Sequence, residues 1–178
     1  MRKTLIAFNL ILFVLAAVLY VGSENAQVEA KESDIQNMQH EIGYKRVDRV
    51  VALEKFFEKY NSPLKENAET FVEVADKYGI AYTLLPAISC QESTCAKFLI
   101  EGTFNPFGWG IYGNNYIAFE SYDAAIQGVG EGLFEGYFSR GLDELHEIAP
   151  VYTPPSNGSW YRGVTYFSDQ INEIALAL

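Results

Sequence analysis

Apolar positions fall into one uncharged run near the start of the chain and, after it, a series of helical stripes. The run extends from Leu5 to Val21 without a charge. From Arg46 onward, Val47, Val50/Val51, Phe56/Phe57 and Tyr60 recur at helical spacing. Ser62-Pro63 reads as a helix start, serine capping and proline in the first turn. The next helix carries Phe71, Val74, Ala75 and Tyr78 and ends near Gly79. Thr83 then caps a helix in which Leu85, Ile88 and Glu92 share one face, at i, i+3 and i+7, and which stops at Glu92-Ser93. Gly113-Asn114-Asn115, between Ile111-Tyr112 and Tyr116-Ile117, predicts a small hairpin as the only β structure. Ser121 caps the next helix, with Ala125/Ile126, Val129, Leu133 and Tyr137 inward and glycines at 128, 132 and 136 on a stripe open to a close helix neighbour. A short acidic helix over Leu142–Ala149, a Pro154–Gly158 loop and a closing helix capped by Ser159 complete the chain. In the last of these, Trp160, Val164, Phe167, Ile171 and Ile174 form the apolar stripe. The fold class predicted is mainly α, with a small β-hairpin lobe and an N-terminal hydrophobic helix.

The ends and the charge refine this. Arg2 and Lys3 precede the apolar run and acidic residues come after it, which is the layout of an export signal, with Val28-Glu29-Ala30 as a cleavage site. The run also approaches the lower limit of ~17 residues for a membrane span, so an uncleaved anchor is the alternative, oriented with the domain outside. Residues 1–30 are therefore read as signal peptide or membrane anchor, 31–60 as a charged helical linker, and 61–178 as the domain. Residues 31–45 are polar, with only Ile35, Met38 and Ile42 at helical spacing. The formal charge is -10, and no Lys/Arg stripe offsets it, which excludes nucleic acid as a partner. Cys90 and Cys95 sit in a chain expected to be exported, where a disulfide can form. On a continuous helix their Cα atoms lie roughly 8 Å apart, too far for a bridge; only a helix that breaks after Glu92 lets them meet.

Glu92 is the candidate for chemistry. A carboxylate that closes an apolar stripe is partly desolvated, which raises its pKa and lets it hold a proton near neutrality, as cleavage of a glycosidic bond requires. Trp109, Tyr112 and Tyr116 crowd the predicted hairpin, and aromatic faces suit the C–H faces of sugar rings.

The segments 79-GIAYTLLPAISCQES-93 and 105-NPFGWG-110 resemble the glucosaminidase-type branch of the lysozyme-like peptidoglycan hydrolases, which is related to the lytic transglycosylases. The resemblance runs from about Ser62 to the C-terminus. It implies a lysozyme-like helical domain with its hairpin lobe over a glycan cleft and Glu92 as catalytic acid. Ser93, Asn105, Phe107, Gly108, Trp109 and Tyr112 would line that cleft. Tyr152 matches a late tyrosine opposite the acid, with Trp160 and Tyr161 opening the next helix; where the family often has Thr-Asp, this chain has Thr153-Pro154. The activity that the resemblance implies is that of an exported peptidoglycan glycosidase, an endo-β-N-acetylglucosaminidase first and a lytic transglycosylase as alternative. Such an enzyme would work on glycan strands as a monomer, without cofactor or metal, membrane-anchored through residues 5–21 if these are not cleaved.

A two-carboxylate hydrolase places its second acid at roughly 5 Å or 6.5–9.5 Å from the first. Glu101 and Glu120, with Asp123 behind them, are the candidates; a single-acid route assisted by the substrate's own N-acetyl or 6-hydroxyl group needs none. Other classes fit less well. A cysteine peptidase would pair Cys90 or Cys95 with His146, but Cys90 lies inside a helix rather than at a helix start. Ser-His-Asp and zinc sites lack histidines at useful spacing, since His40 and His146 are the only two. A glycan-binding module without catalysis remains as a third class.

Overall fold

The computed structural model describes residues 31–39, 41, 43, 45–111, 115–153 and 157–178. The export or anchoring run expected within residues 1–30 lies outside them, and no described helix is long and apolar enough to cross a membrane. The chain divides into two compact units, Met1–Lys45 and Arg46–Leu178. In the first, the described residues 31–39, 41, 43 and 45 are helical and exposed, and Lys45 pairs with Glu41 one turn back at 2.8 Å.

The second unit is mainly helical: α1 (46–59), α2 (Ala68–Tyr78), α3 (Leu84–Ser93), α4 (Tyr122–Gly136), α5 (Leu145–Tyr152) and α6 (Ser159–Leu176), with short 3₁₀ turns at Pro63–Asn67 and Phe138–Arg140. The linker expected over 31–60 therefore gives way at Arg46. The apolar stripe from there on buries Ala52, Leu53, Phe56 and Phe57 completely, so α1 is a core helix. Arg49 grips Asp76 through both guanidinium nitrogens at 2.7 and 3.0 Å, setting α1 against α2. Ser62 caps as expected, its Oγ accepting from Leu64 N at 3.1 Å, but what it opens is the 3₁₀ turn, and the α-helix starts only at Ala68. Ser121 caps α4, accepting from Ala124 N at 3.1 Å. At α6 the cap is Gly158, in the left-handed region at φ 79, and Ser159 is the first helical residue.

Two expectations change more. Among the described residues there is no strand. Tyr112, in the first arm of the expected hairpin, and Gly113 and Asn114 of its turn lie outside them, and Asn115 forms an isolated bridge. The glycine stripe of α4 does not serve a helix neighbour. A Cβ on Gly132 would sit 2.5 Å from the Trp109 ring, one on Gly128 would sit 3.1 Å from Phe119, and Gly136 faces open space. The close helix approach is at Gly130, off that stripe, where Val74 of α2 occupies the room a side chain would need and Leu85 of α3 is 3.5 Å away.

α3 is buried on nearly all sides and packs most extensively on α6, where the Gln91 carboxamide rests against Gly163. After Ser93 the backbone turns left-handed through Thr94, Cys95 and Ala96, at φ 53, 56 and 63. That reversal is the helix break a bridge needs, and Cys90 and Cys95 are joined by a buried disulfide. Ser62 Oγ donates to Cys95 O at 2.8 Å and ties the reversal to the start of the Pro63–Asn67 3₁₀ turn. Denatured without reductant, the protein should show no free thiol by thiol titration; two would refute the bridge. Replacing both cysteines by alanine should cost ~2 kcal/mol of stability in chemical denaturation, the amount expected for so short a closed loop.

Candidate active site

Glu92 lies in the last turn of α3. An anion there meets the negative end of the helix dipole, which favours the protonated carboxyl. The Trp160 indole, buried to 4 % exposure at the start of α6, donates from Nε1 to Glu92 Oε1 at 2.6 Å. The residue keeps an open face to solvent, yet the walls around its carboxyl desolvate it enough to push its pKa above the usual carboxylate range. The Trp160 hydrogen bond pulls the other way and does not prevail. The other oxygen faces Gly108: a Cβ built there would lie 3.7 Å from Oε2, and φ is 61, a conformation that suits glycine. The turn can thus pass beside the acid without covering it.

That turn is clamped by two polar residues. Asn105, buried, donates from Nδ2 to Trp109 O at 2.8 Å and Ile117 O at 3.0 Å, while its Oδ1 accepts from Trp109 N at 3.1 Å. Its amide is spent on backbone, so Asn105 shapes the cleft wall. Ser93 Oγ lies 2.8 Å from both Ser89 O and Pro106 O and accepts from Ala96 N at 2.9 Å. It fastens the end of α3 to the turn and to the left-handed reversal. Phe107 is fully buried edge-on to Phe71, centroids 6.4 Å apart, and anchors the turn in the core.

Glu92 borders two cavities. One of about 500 Å³ is walled by Phe107, Trp109, Ile111, Ile117, Tyr137 and Tyr152, with Gly108 and Gly110 between them. Tyr152 is its centre: it stacks on Trp160 at 4.6 Å and 25°, and lies 6.2 Å from the Trp109 ring and 6.3 Å from that of Tyr137. Burial first, then the Glu92 charge, then Tyr137 push the Tyr152 hydroxyl well above its ordinary value, so it stays a neutral donor. Tyr152 closes α5, one short step from the acid in space although distant in sequence. The second cavity, about 100 Å³, lies past Ser93, Asn105 and Gly108 and is bounded by Phe98, Ile100, Ile111 and Ile117, all exposed apolar side chains.

Of the residues expected at the site, Glu92, Ser93, Asn105, Phe107, Gly108, Trp109, Tyr152 and Trp160 are brought together. Tyr112 lies outside the described residues. Glu101 and Glu120 are exposed and border neither cavity. Asp123 is occupied elsewhere, accepting from Thr70 Oγ1 at 2.6 Å and Asn67 Nδ2 at 2.8 Å. Glu92 is the one carboxylate among the described residues lining either cavity, and residues 112–114 and 154–156, which flank the cleft in sequence, contain no Asp or Glu. Neither cysteine is a thiol, and no group of three or more His, Cys, Asp or Glu among the described residues could hold a metal. Helical spacing puts Tyr137 on an inner helix face and the hairpin pattern puts Ile111 and Ile117 in its arms, but neither pattern marks them, or Phe98 and Ile100, as cleft residues. Their clustering depends on the turn after Ser93, which no local pattern announces.

No protein-family model and no curated protein matches this chain.

Proposed function

We propose that the chain is a peptidoglycan glycosidase in which Glu92 is the general acid, with endo-β-N-acetylglucosaminidase activity as the first reading. The observation that carries it is a single carboxyl, raised in pKa and steered by an indole N–H, at the junction of an aromatic-walled cleft and a small apolar cavity. A glycan lying across that junction would stack sugar rings on Trp109 and Tyr152 and present its bridging oxygen to Glu92. The fold this implies is lysozyme-like, with residues 111–117 as the hairpin lobe over the cleft. Residues 5–21 would act as export signal or anchor.

Having one carboxyl favours substrate assistance over a two-carboxylate mechanism. Glu92 protonates the glycosidic oxygen, the C1–O bond breaks with its electron pair leaving on that oxygen, and the N-acetyl oxygen of the same sugar bonds to C1. Glu92, now a carboxylate, takes a proton from water as the hydroxyl opens the ring so formed. The same observation supports a second reading, lytic transglycosylase, in which Glu92 takes the proton of the sugar's 6-hydroxyl as that oxygen bonds to C1. Mass spectrometry of purified peptidoglycan digested by the full chain checks both. Reducing N-acetylglucosamine ends are the expected products, and anhydro-muramyl ends establish the transglycosylase. A digest with no new ends leaves a glycan-binding module and overturns the enzyme.

A further inference from the structure

A third cavity, of about 350 Å³, lies between α5 and α6, bounded by His146, Ala149, Thr153, Asn157, Tyr161 and Arg162. No Asp or Glu lines it, in a chain whose formal charge is -10. Arg162 makes no ion pair among the described residues, so its guanidinium is available for a ligand. Its Nη1 lies 3.3 Å from where a Cβ on Gly158 would stand, so the guanidinium sits beside the Gly158 edge of the cavity. The remaining lining mixes hydrogen-bonding residues (His146, Thr153, Asn157) with apolar and aromatic ones (Ala149, Pro150, Tyr161), a mixture suited to a short peptide with a carboxylate. Thr153 borders both this cavity and the Glu92 cleft, so the two adjoin.

Resting on the glycosidase reading above, we infer that this cavity receives the acidic peptide that branches from the glycan strand, with Arg162 pairing its carboxylate while the sugars occupy the Glu92 cleft. The site would then set a preference for peptide-substituted over bare strands. Arg162 is solvent-exposed, so its replacement leaves the core untouched. The test compares kcat/KM of the full chain on purified sacculi with that on the same strands stripped of peptides by an amidase. Arg162→Gln should lose about fivefold on sacculi, the scale of an exposed charge pair, and change less than twofold on stripped strands, with Arg162→Lys recovering part of the loss. Equal effects on both substrates, or none on either, overturn the inference while leaving the glycosidase intact. A wild-type chain that cleaves neither substrate overturns both. Wall polymers carrying phosphate offer a competing anion, and a loss that disappears when those polymers are removed, with peptides still attached, also overturns it. Titration of Glu92→Gln protein with muramyl dipeptide gives a measure free of turnover: Arg162→Gln should weaken binding about fivefold, and unchanged affinity overturns the assignment.

Discussion

Glu92→Gln is expected to lower the rate of peptidoglycan cleavage by ~10³-fold, within the range for loss of a general acid. The glutamine keeps the volume of the side chain and an oxygen that can accept from Trp160 Nε1, so the helix end and its packing should survive. What disappears is the proton. The assay is release of new sugar ends from purified peptidoglycan, with far-ultraviolet circular dichroism to check the fold. Full activity in this variant ends the glycosidase proposal. The raised pKa of Glu92 has two accompanying effects. In the proposed mechanism the reaction needs the protonated carboxyl, so kcat should fall as pH rises through that pKa. Stability moves in the same direction. Below the unfolded carboxyl pKa the residue is neutral in both states and costs nothing. As pH rises through the folded pKa the native state must ionise a desolvated group more reluctantly than the unfolded chain does, and stability is lost. Glu92→Gln should therefore melt higher than wild type at neutral pH, and the difference should vanish in acid. An acid that weakens the fold it serves is a common compromise at functional sites.

How much of this was legible depended on the range of the interaction. Helix faces are local: Phe71, Val74 and Ala75 on α2, and Val164 and Ile171 on α6, are buried as their spacing requires. Gly79 ends α2 in the left-handed region, as a glycine after a periodic stripe announces. Glu92 was legible for the same reason, since its place on the Leu85–Ile88 face needs only the helical period. The departures arise where distant segments meet. Gly132 is a glycine because the Trp109 ring occupies its space, a contact between a loop and α4 that no spacing within α4 reveals. Ser62 caps locally, but its second bond, to Cys95 O, depends on the chain reversing after Ser93. That reversal uses three non-glycine residues at positive φ, against their intrinsic preference, and the disulfide and buried turn hold them there. Asn105 was expected to face glycan. Its amide is instead consumed by Trp109 and Ile117 backbone, so what it sets is the shape of the turn.

Trp160 shows most sharply how packing changes a residue's role. Expected as the first apolar residue of the closing helix, it is nearly enclosed, with Tyr152 on its face and its N–H on Glu92 Oε1. An N–H can only donate, so Oε1 accepts, and in the proposed mechanism this favours the proton on Oε2, the oxygen facing Gly108 and the cleft. Trp160 is in this sense a positioning residue: it selects which oxygen carries the proton and fixes the carboxyl plane. Trp160→Phe retains most of the apolar volume and the stacking face while deleting the donor. Hydrogen bonds to charged groups contribute ~1.5–3 kcal/mol, so kcat should fall on the order of thirtyfold, with KM nearly unchanged because no sugar contact is lost. The bond also stabilises the ionised carboxylate and so lowers its pKa. Without it the pKa rises further, and the alkaline limb of the kcat–pH profile should move to higher pH. A role confined to packing predicts the opposite pattern, a lower melting temperature with the limb unmoved, because loosened packing alters no bond to Oε1. Measured pH profiles of the two proteins separate these outcomes. An unshifted limb in a folded Trp160→Phe variant removes the indole from the chemistry and leaves Glu92 tuned by its walls and the helix end alone.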